Sequence, residues 1–351
     1  MSTEIRIFDP FGEPLKDINV QPVLSHIIND VGDCSFTMST GDAACTERNL
    51  QFGNWLLIND DNLPSWIGMI DSSSQARTWG AGKVGVYALS AEYIWNLRIA
   101  RPTRFNGTAG AILERLIEHI EDLSAGGIKI YPGEIFKGGR HLVYPPIARP
   151  RDVVDRITRI SKCDWSVTHE IVNSRLVLKA NLYNGERGKD NLQVLDASNT
   201  ELSDPIYSEE GEIWNWVIFM TPIQSSGEMM IGTPQRDEES IFRYGLRQYI
   251  GEMTAEETDA LDWKAKAWLY DHAYPRGIIT PSILNVNNLW KEIGFGDRFR
   301  WENHGVGFTN GLIGVGEKVR LTGYEMDYSS GKMASVMEST KKPFKHGDLF
   351  V

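Results

Sequence analysis

The first hundred residues alternate apolar and polar positions over short runs, which is the pattern of β-strands. The runs EIRIF, CSFTMS, NWLLIND, SWIGMIDSS and KVGVYALS are bounded by Gly, Pro, Asn or Asp, as short strands usually are. Several such strands at close spacing are typical of a barrel or a sandwich. We therefore predict a first small β-barrel over residues 1–100.

Helical spacing begins near residue 106. One apolar stripe follows a capping Asn106 or Thr108, and a second follows Pro150 in the first turn of another helix. The stripes are Ile112, Leu113, Leu116, Ile117 and Ile120, then Val153, Val154, Ile157 and Ile160. The run DWSVTHEIVNSRLVLKANL then alternates around an Asn-Ser pair, which predicts a hairpin. Residues 101–198 are predicted to be a small α+β domain.

The rest of the chain predicts a second barrel interrupted by helix. EIWNWVIFM predicts a strand at residues 212–220, and alternation returns after residue 280. Between them, Thr254 and Glu257 form a capping box ahead of an apolar helical face that ends at Pro275. The predicted fold class is mainly β with α+β: two similar small β-barrel domains, an intervening α+β domain and a short helical insert. The second barrel is assigned to residues 199–235 and 276–351, and the insert to residues 236–275.

One short sequence motif, called the Phe-Gly phrase below, occurs twice in the chain. FGNWLLINDDN and FGDRFRWENHG each place Phe-Gly before a turn-forming polar residue, Asn54 in one copy and Asp297 in the other. Backbone geometry in tight turns favours glycine and such polar residues. We therefore expect Gly53 with Asn54, and Gly296 with Asp297, to shape equivalent turns.

The correspondence continues after the turns. Large apolar residues then alternate in each copy, Trp55 and Leu57 in the first and Phe299 and Trp301 in the second. A strand with Gly and an acid follows in each copy, Gly68 with Asp71 and Gly323 with Glu325, and then a Gly-Lys turn at Gly82 or Gly331. The intervals between the two glycine turns differ by six residues, which one longer loop absorbs. We interpret the phrases as two copies of one small β-barrel unit.

Composition changes this picture little. The chain has 351 residues, of which 41% are hydrophobic and 24% charged, which suits a folded protein of two or three domains. A formal net charge of -11 disfavours generic binding to a phosphate backbone. The start MSTEIRIFDP lacks a basic leader, and no long apolar run occurs. Neither a secretory signal nor stable membrane insertion is expected.

Candidate chemistry is sparse. The seven histidines have no ligand-like spacing, and Cys34, Cys45 and Cys163 form no CxxC pair, so neither a metal site nor a cofactor is expected. GxSxG is absent, and GAGKVG lacks the spacing of a phosphate-binding loop. We therefore predict no catalytic residue and no enzyme activity.

Two other function classes stay open. The 47 acidic residues could supply the paired carboxylates of a tail-associated cell-wall or polysaccharide hydrolase. Trp79, predicted to lie in a loop, could stack on a sugar in a carbohydrate-binding receptor-recognition module.

The order of domains and several local phrases resemble a known family. The phrases are AGAILERLIEHI, DWSV, YGLRQY, WKAKAWLYDHAYP and FGDRFRW. They are similar to the baseplate hub, or tail-hub, proteins of tailed bacteriophages and related phage-tail-like injection machines. The resemblance covers nearly the whole chain. It implies a homotrimeric ring in which two barrels per chain supply six similar units, matching a six-fold tail tube to a three-fold spike.

The resemblance also implies partners and a location. The partners would be further copies of the chain, a tail tube or distal tail protein ring, a spike, tip or fibre protein, and the tape-measure protein. DNA would pass only transiently and without specific binding. The protein would be made in the host cytoplasm and reside in the tail tip or baseplate of the virion. As residues for partner contact we nominate Trp79, Gln224, Glu228 and Arg236.

Overall fold

A computed structural model describes most of the chain. The described residues are 3–71, 77–80, 82–100, 105–123, 127–138, 142–143, 149–201, 207–210, 212–222, 229–253, 258–274, 276–302 and 317–339. Their strands and helices form four groups, which we call the first β unit, the α+β unit, the insert and the second β unit.

The first β unit contains eight strands and one short helix. They are β1 (Thr3–Phe8), β2 (Pro14–Ile18), β3 (Val23–Ile27), β4 (Asp33–Ser39), β5 (Trp55–Asp60), β6 (Trp66–Ile70), β7 (Arg77–Gly80), β8 (Lys83–Ser90) and α1 (Ile94–Leu97). Burial alternates along β4, where Phe36 and Met38 are buried between exposed Ser35 and Thr37. This alternation is the pattern of a strand with one face on a core.

The α+β unit packs helices against a small sheet. Its elements are β9 (Asn106–Gly107), α2 (Ala109–Leu123), β10 (Ile130–Ile135), β11 (Leu142–Val143), α3 (Pro150–Ser161), β12 (Trp165–Val172) and β13 (Arg175–Leu182). Pro150 occupies the first turn of α3, and Lys162 ends the helix in a left-handed conformation with φ of 53°. The predicted hairpin turn is present, because Asn173 and Ser174 both have positive φ between β12 and β13.

The second β unit is interrupted by the insert. Its strands are β14 (Asp190–Leu195), β15 (Thr200–Glu201), β16 (Tyr207–Glu210), β20 (Arg276–Ile279), β21 (Ser282–Ile283), β22 (Arg298–Trp301), β23 (Glu317–Asp327) and β24 (Lys332–Ser339). The insert contains β17 (Trp216–Met220), β18 (Gln235–Arg236), α4 (Glu238–Tyr244), β19 (Gln248–Glu252) and α5 (Thr258–His272). The insert therefore enters the second β unit between β16 and β20.

One 16-stranded sheet contains both β units. Its main path runs β15-β21-β24-β23-β3-β4-β8-β6-β5-β1-β2. Pairing of β3 with β23 joins the two units. Among the described strands this path does not return on itself, so the two similar β units are open rather than closed barrels. With that qualification, the predicted mainly β, α+β fold class is confirmed.

Three hydrophobic cores organise the chain. The largest runs through both β units and includes Trp66 and Trp301. The second lies between the outer face of β5 and the α+β unit and includes Trp55 and Trp165. The third lies within the insert, where Val217 and Phe219 of β17 pack on Leu261 and Ala265 of α5. The sharing of the largest core makes the two β units one packed body.

The position of β17 differs from the sequence-based expectation. The strand was assigned to the second barrel, but it pairs with β18 and β19 in a separate sheet. Its alternate residues Val217 and Phe219 are buried with Leu261 and Ala265 of α5 in the core of the insert, because removing apolar side chains from water is favourable. The capping box at Thr254 and Glu257 lies outside the described residues.

Candidate functional site

The two Phe-Gly turns have the same backbone conformation. Gly53 and Gly296 both have φ of 88°, in the left-handed region that favours glycine. The amide of Gly53 donates to the carbonyl oxygen of Ile70 at 2.8 Å, and the amide of Gly296 donates to that of Leu321 at 3.1 Å. Each turn is therefore held to a neighbouring strand by an equivalent hydrogen bond.

The residue after each glycine extends the equivalence. The backbone oxygen of Asn54 accepts from the amide of Ile70 at 2.8 Å, and that of Asp297 accepts from the amide of Leu321 at 2.9 Å. Both polar side chains are buried. This pattern makes Ile70 of β6 and Leu321 of β23 equivalent positions.

The two buried side chains face surroundings of opposite polarity. Asn54 Nδ2 donates to two backbone carbonyl oxygens, at 2.7 and 2.9 Å. The Asp297 carboxylate accepts from the backbone amides of Lys189 at 2.9 Å and Gly294 at 2.8 Å. An amide donor suits acceptors, and a carboxylate suits donors. The change from Asn to Asp between the copies therefore has a hydrogen-bonding cause.

The Gly-Lys turns are also equivalent. Gly82 has φ of 73° and Gly331 has φ of 67°. The residue six places on, Ala88 or Met337, pairs with the strand residue that the Phe-Gly turn holds. Strands β6 and β8 of the first β unit therefore match β23 and β24 of the second in register.

Strand β4 has an equivalent that is broken in two. Cys34 and Met38 of β4 pair with β8 at the places where Ile279 of β20 and Ile283 of β21 pair with β24. Four positions separate the two residues in each unit, so no insertion or deletion intervenes. All four side chains are buried in the shared core.

The large apolar residues noted in the two copies are offset by one position. Strand β5 is buried on both faces: Leu56 and Ile58 lie in the shared core, and Trp55 and Leu57 lie in the core of the α+β unit. Because Asn54 matches Asp297, the equivalent pairs are Leu56 with Phe299 and Ile58 with Trp301. Apolar alternation did not reveal this, since both faces of β5 are apolar.

Gly68 and Gly323 lie in equivalent strands but at different places. Gly68 lies two residues before Ile70, whereas Gly323 lies two residues after Leu321. The two glycines therefore occupy different places in equivalent strands, and so do the acids that follow them.

Strands β3 and β23 form the seam between the two β units. They pair antiparallel, with Leu24 opposite Met326 and Ser25 opposite Glu325. Leu24 and Met326 are buried in the shared core, and Glu325 is exposed. At these two pairs of positions the seam is apolar on its inner face and polar on its outer face.

A buried ion pair fastens the seam to the α+β unit. Arg320 of β23 pairs with Asp164, and their side chains are only 9% and 5% exposed. The Asp164 carboxylate also accepts from Asn29 Nδ2 at 2.8 Å and from the backbone amide of Arg187 at 2.6 Å. Donors from three parts of the chain therefore meet at one carboxylate, which fixes the relative position of the units.

His26 is held neutral on the inner side of the seam. Its ring stacks on Phe295 with centroids 4.5 Å apart, and its Nδ1 atom is buried without a hydrogen-bond partner. Burial, and then the charge of Arg187, lower the pKa of His26 from 6.5 to about 3. The side chain as a whole is half-buried.

An open cleft of about 1040 Å³ lies beside the seam, between α3 and α5. Lys162 Nζ lies 3.5 Å from the ring centroid of Tyr270 at this place. Basic residues such as Arg159 and acidic residues such as Asp271 and Glu338 line the cleft together. A cleft lined by both basic and acidic side chains does not indicate a ligand of one particular charge.

Two of the residues nominated for partner contact lie in the described part of the chain. Trp79 lies in β7 of the first β unit, opposite Val84 of β8. Arg236 lies in the insert and forms an ion pair with Glu238 at 2.7 Å, with both side chains largely exposed. Gln224 and Glu228 lie outside the described residues, so their nomination stays a prediction.

The described part of the chain contains no cluster suited to metal chemistry. Within it, no group of three or more His, Cys, Asp or Glu side chains converges. Cys34 and Cys163 are buried and Cys45 is half-buried, all as free thiols. Trp55, Trp66 and Trp95 are buried, so they do not form a sugar-stacking surface. Within the described ranges, no helix is long and apolar enough to cross a membrane.

Three solved structures of tail proteins are similar to this architecture. A tail protein from Neisseria meningitidis matches with TM-score 0.58 and 12% identity, covering 97% of each chain. The 43 kDa tail protein of prophage MuSo2 from Shewanella oneidensis matches with TM-score 0.57 and 12% identity, covering 96% of this chain and 98% of that one. The prophage tail protein gp18 from Listeria monocytogenes matches with TM-score 0.54 and 13% identity, covering 97% and 95%.

The chain has the fold of prophage tail proteins. No family model and no curated protein matches its sequence. The agreement extends over nearly the full length of each tail protein, so it includes the α+β unit and the insert as well as the β units. The fold implied by the resemblance to tail-hub proteins is thereby confirmed.

Proposed function

We propose that the chain is a structural tail-tip or baseplate hub protein of a phage or a phage-tail-like particle. Three copies form a ring with six similar β units around a central channel. The ring joins a six-fold tail tube to a three-fold spike or tip. The fold shared with three tail proteins, two of them from prophages, supports a role in the tail.

The internal repeat is the observation that carries the proposal. Equivalent turns and equivalent strand register relate the two β units. A closed ring of three chains would display these units six times, and cyclic rings are built from such heterologous contacts. A repeat within the chain thus lets one protein present approximate six-fold and true three-fold symmetry at once.

The partners follow from this role. One face of the ring contacts the tail tube or a distal tail protein ring, and the other contacts a spike, tip or fibre protein. The tape-measure protein and DNA pass through the channel, and DNA is not retained, in keeping with a net charge of -11. The protein is made in the host cytoplasm and resides in the virion tail.

The proposed activity is assembly, without catalysis. We assign residues 1–100 to the first β unit, 101–189 to the α+β unit, and 190–210 with 276–351 to the second β unit, because β14 pairs with β22. The insert then covers residues 211–275, because β17 belongs to its sheet. Gly53 with Asn54, and Gly296 with Asp297, are proposed to hold equivalent places around the ring.

The oligomeric mass tests this proposal. We expect purified protein, measured by light scattering over a wide concentration range, to shift from one chain to three chains without a stable two-chain species. Open-ended growth, or a single chain at every concentration, would contradict a closed three-chain ring.

A further inference from the structure

The seam inside the chain offers a template for contacts between chains. The half of β23 that follows Gly323 has two neighbours, β24 on one edge and β3 on the other. On the β3 edge, Met326 lies opposite Leu24, Glu325 opposite Ser25, and Tyr324 opposite His26. If six similar units form the ring, then the ring has six junctions between neighbouring units. Each chain supplies one of them internally as its β3–β23 seam, so three chains supply three and the other three lie between chains.

Strand β7 is the first-unit equivalent of this half of β23. It pairs with β8 in the same way that β23 pairs with β24, counted from Gly82 and Gly331. The equivalent positions are Arg77 with Tyr324, Thr78 with Glu325, and Trp79 with Met326.

Strand β16 is the second-unit equivalent of β3. Leu24 of β3 pairs with Cys34 of β4, and Tyr207 of β16 pairs with Ile279 of β20. Cys34 and Ile279 are already equivalent through their pairing with β8 and β24. The equivalent positions are therefore Leu24 with Tyr207, Ser25 with Ser208, and His26 with Glu209.

Both equivalents have one edge without a partner in the described chain. Within the described residues, β7 pairs only with β8, and β16 pairs only with β20. The counterpart of β7 is β23 and the counterpart of β16 is β3, and these two strands pair with each other in the seam. An open strand edge is a template for pairing with another chain.

We propose that β7 of one chain pairs antiparallel with β16 of the next chain, in the register of the β3–β23 seam. This inference rests on the proposed ring and identifies its subunit contact. The register places Arg77 opposite Glu209, Thr78 opposite Ser208, and Trp79 opposite Tyr207.

The residue types at these positions are complementary. Trp79 with Tyr207 takes the place of the buried apolar pair Met326 and Leu24. Thr78 with Ser208 takes the place of the polar outer pair Glu325 and Ser25. Arg77 with Glu209 takes the place of Tyr324 and His26. Aromatic pairs, hydroxyl pairs and opposite charges are the cross-strand combinations that stabilise antiparallel sheets.

The occupant of these edges is a second copy of this chain because the edge contact already exists once within the chain. Pairing β7 with β16 continues the 16-stranded sheet from one chain to the next. Three contacts within chains and three between chains then close the ring, with the same strand geometry at all six places.

Disulfide trapping tests the register. In the β3–β23 seam, the amide of Ile28 donates to the carbonyl oxygen of Thr322 at 2.9 Å. Because hydrogen-bonded and non-hydrogen-bonded pairs alternate along an antiparallel ladder, Ser25 and Glu325 are a non-hydrogen-bonded pair. Such pairs have Cα atoms about 4.5 Å apart, within the range of a disulfide. Thr78→Cys combined with Ser208→Cys should therefore form covalent two-chain and three-chain species on mild oxidation, and reductant should release them.

The matched control is Thr78→Cys combined with Glu210→Cys. It moves one cysteine by two positions along the same strand, where the diagonal distance of about 7–8 Å is too long for a ready disulfide. Efficient cross-linking of this pair, or of either single variant, would overturn the proposed register.

Charge reversal gives a second test that does not depend on oxidation. Arg77→Glu should raise the concentration needed for assembly at least about tenfold, because it places two carboxylates opposite each other. Adding Glu209→Arg should restore assembly. If Arg77→Glu assembles into three-chain particles as readily as the wild type, and the Thr78→Cys and Ser208→Cys pair forms no cross-link in such particles, then the proposed contact is wrong and the ring is retained. If wild-type protein stays a single chain at all concentrations, the ring and the contact both fail.

Discussion

Gly53 and Gly296 occupy the same place in two copies of one β unit. Both have φ of 88°, and the amide of each donates to the carbonyl oxygen of a buried residue in the neighbouring strand, Ile70 or Leu321. The residue that follows each glycine accepts a hydrogen bond in return. This two-bond pattern relates residues 243 positions apart in the printed sequence.

Alanine at these glycines should destabilise the protein unequally. Both positions strain an L-residue, at a cost of about 1–2 kcal/mol. A Cβ at Gly53 would meet only the Pro10 side chain at 3.6 Å, but a Cβ at Gly296 would lie 2.5 Å from the carbonyl oxygen of Arg187. Urea unfolding should therefore show a larger loss for Gly296→Ala than for Gly53→Ala.

Gly331→Ala is the control for strain alone. Its φ is 67°, and nothing lies within 4 Å of an added Cβ. Its cost should match that of Gly53→Ala. If Gly296→Ala were as stable as Gly331→Ala, the backbone near residue 187 would move at little cost, and the predicted difference between the two turns would be wrong.

Asn54→Asp should destabilise the protein in a pH-dependent way. The new carboxylate would face the carbonyl oxygens of Arg48 and Asn49, which now accept from Asn54 at 2.7 and 2.9 Å. An uncompensated buried charge costs at least about 3 kcal/mol. These acceptors and burial raise the pKa of such an aspartate, so the unfolded state loses its proton first.

The direction of the pH dependence follows from this difference in pKa. Because the folded pKa lies above the unfolded one, the loss of stability should grow as pH rises from 5 to 8. Denaturation midpoints over this range measure it. The same substitution at exposed Asn106 should change stability little at any of these pH values, and a pH-independent loss for Asn54→Asp would contradict the assignment of donors and acceptors.

Removal of Arg320 should loosen the junction of the units. The substitution leaves the Asp164 carboxylate, whose side chain is 5% exposed, without its cation. Breaking a buried pair in this way costs about 3–5 kcal/mol. Hydrogen exchange should therefore accelerate at the β3 and β23 amides in Arg320→Ala.

Lys318→Ala is the matched control on the same strand. Lys318 pairs with Asp190 at 2.5 Å, but both side chains are more than half exposed. Exposed pairs contribute little to stability because water and salt screen them, so exchange at the seam should stay near the wild-type rate. Equal effects of the two substitutions would show that the buried pair does not hold the junction.

His26 should make the seam sensitive to acid. Its folded pKa of about 3 lies below the ordinary value of 6.5, so the unfolded state binds the proton first as pH falls. Its contribution therefore lowers stability progressively from near pH 6.5 towards pH 3. Thermal midpoints between pH 7 and pH 4 should fall less steeply in His26→Phe, which preserves stacking on Phe295. An unchanged slope would contradict the burial of neutral His26.

The sequence predicts those parts of the repeat in which the backbone conformation favours glycine. Gly53, Gly82, Gly296 and Gly331 all have positive φ, and glycine is favoured at such positions, so the turns stand out in the printed chain. The register between them was not visible, because β5 is apolar on both faces and alternation alone cannot assign a face.

The seam and its ion pair were beyond sequence reasoning for a different reason. Arg320 and Asp164 are 156 positions apart, and nothing local in either segment marks them as partners. The match of β16 with β3 was hidden because the insert separates β16 from β20. Only pairing through β8 and β24 reveals these equivalences. Trp79 was nominated as a loop residue, but it lies in β7.

Electron-microscope averages of the purified wild-type protein at high concentration test the central claim most directly. The proposed ring predicts a three-fold particle with six similar lobes around a central hole, in which lobes within a chain and lobes between chains meet in the same way. A compact particle of three chains without six lobes, or isolated single chains, would contradict the hub account.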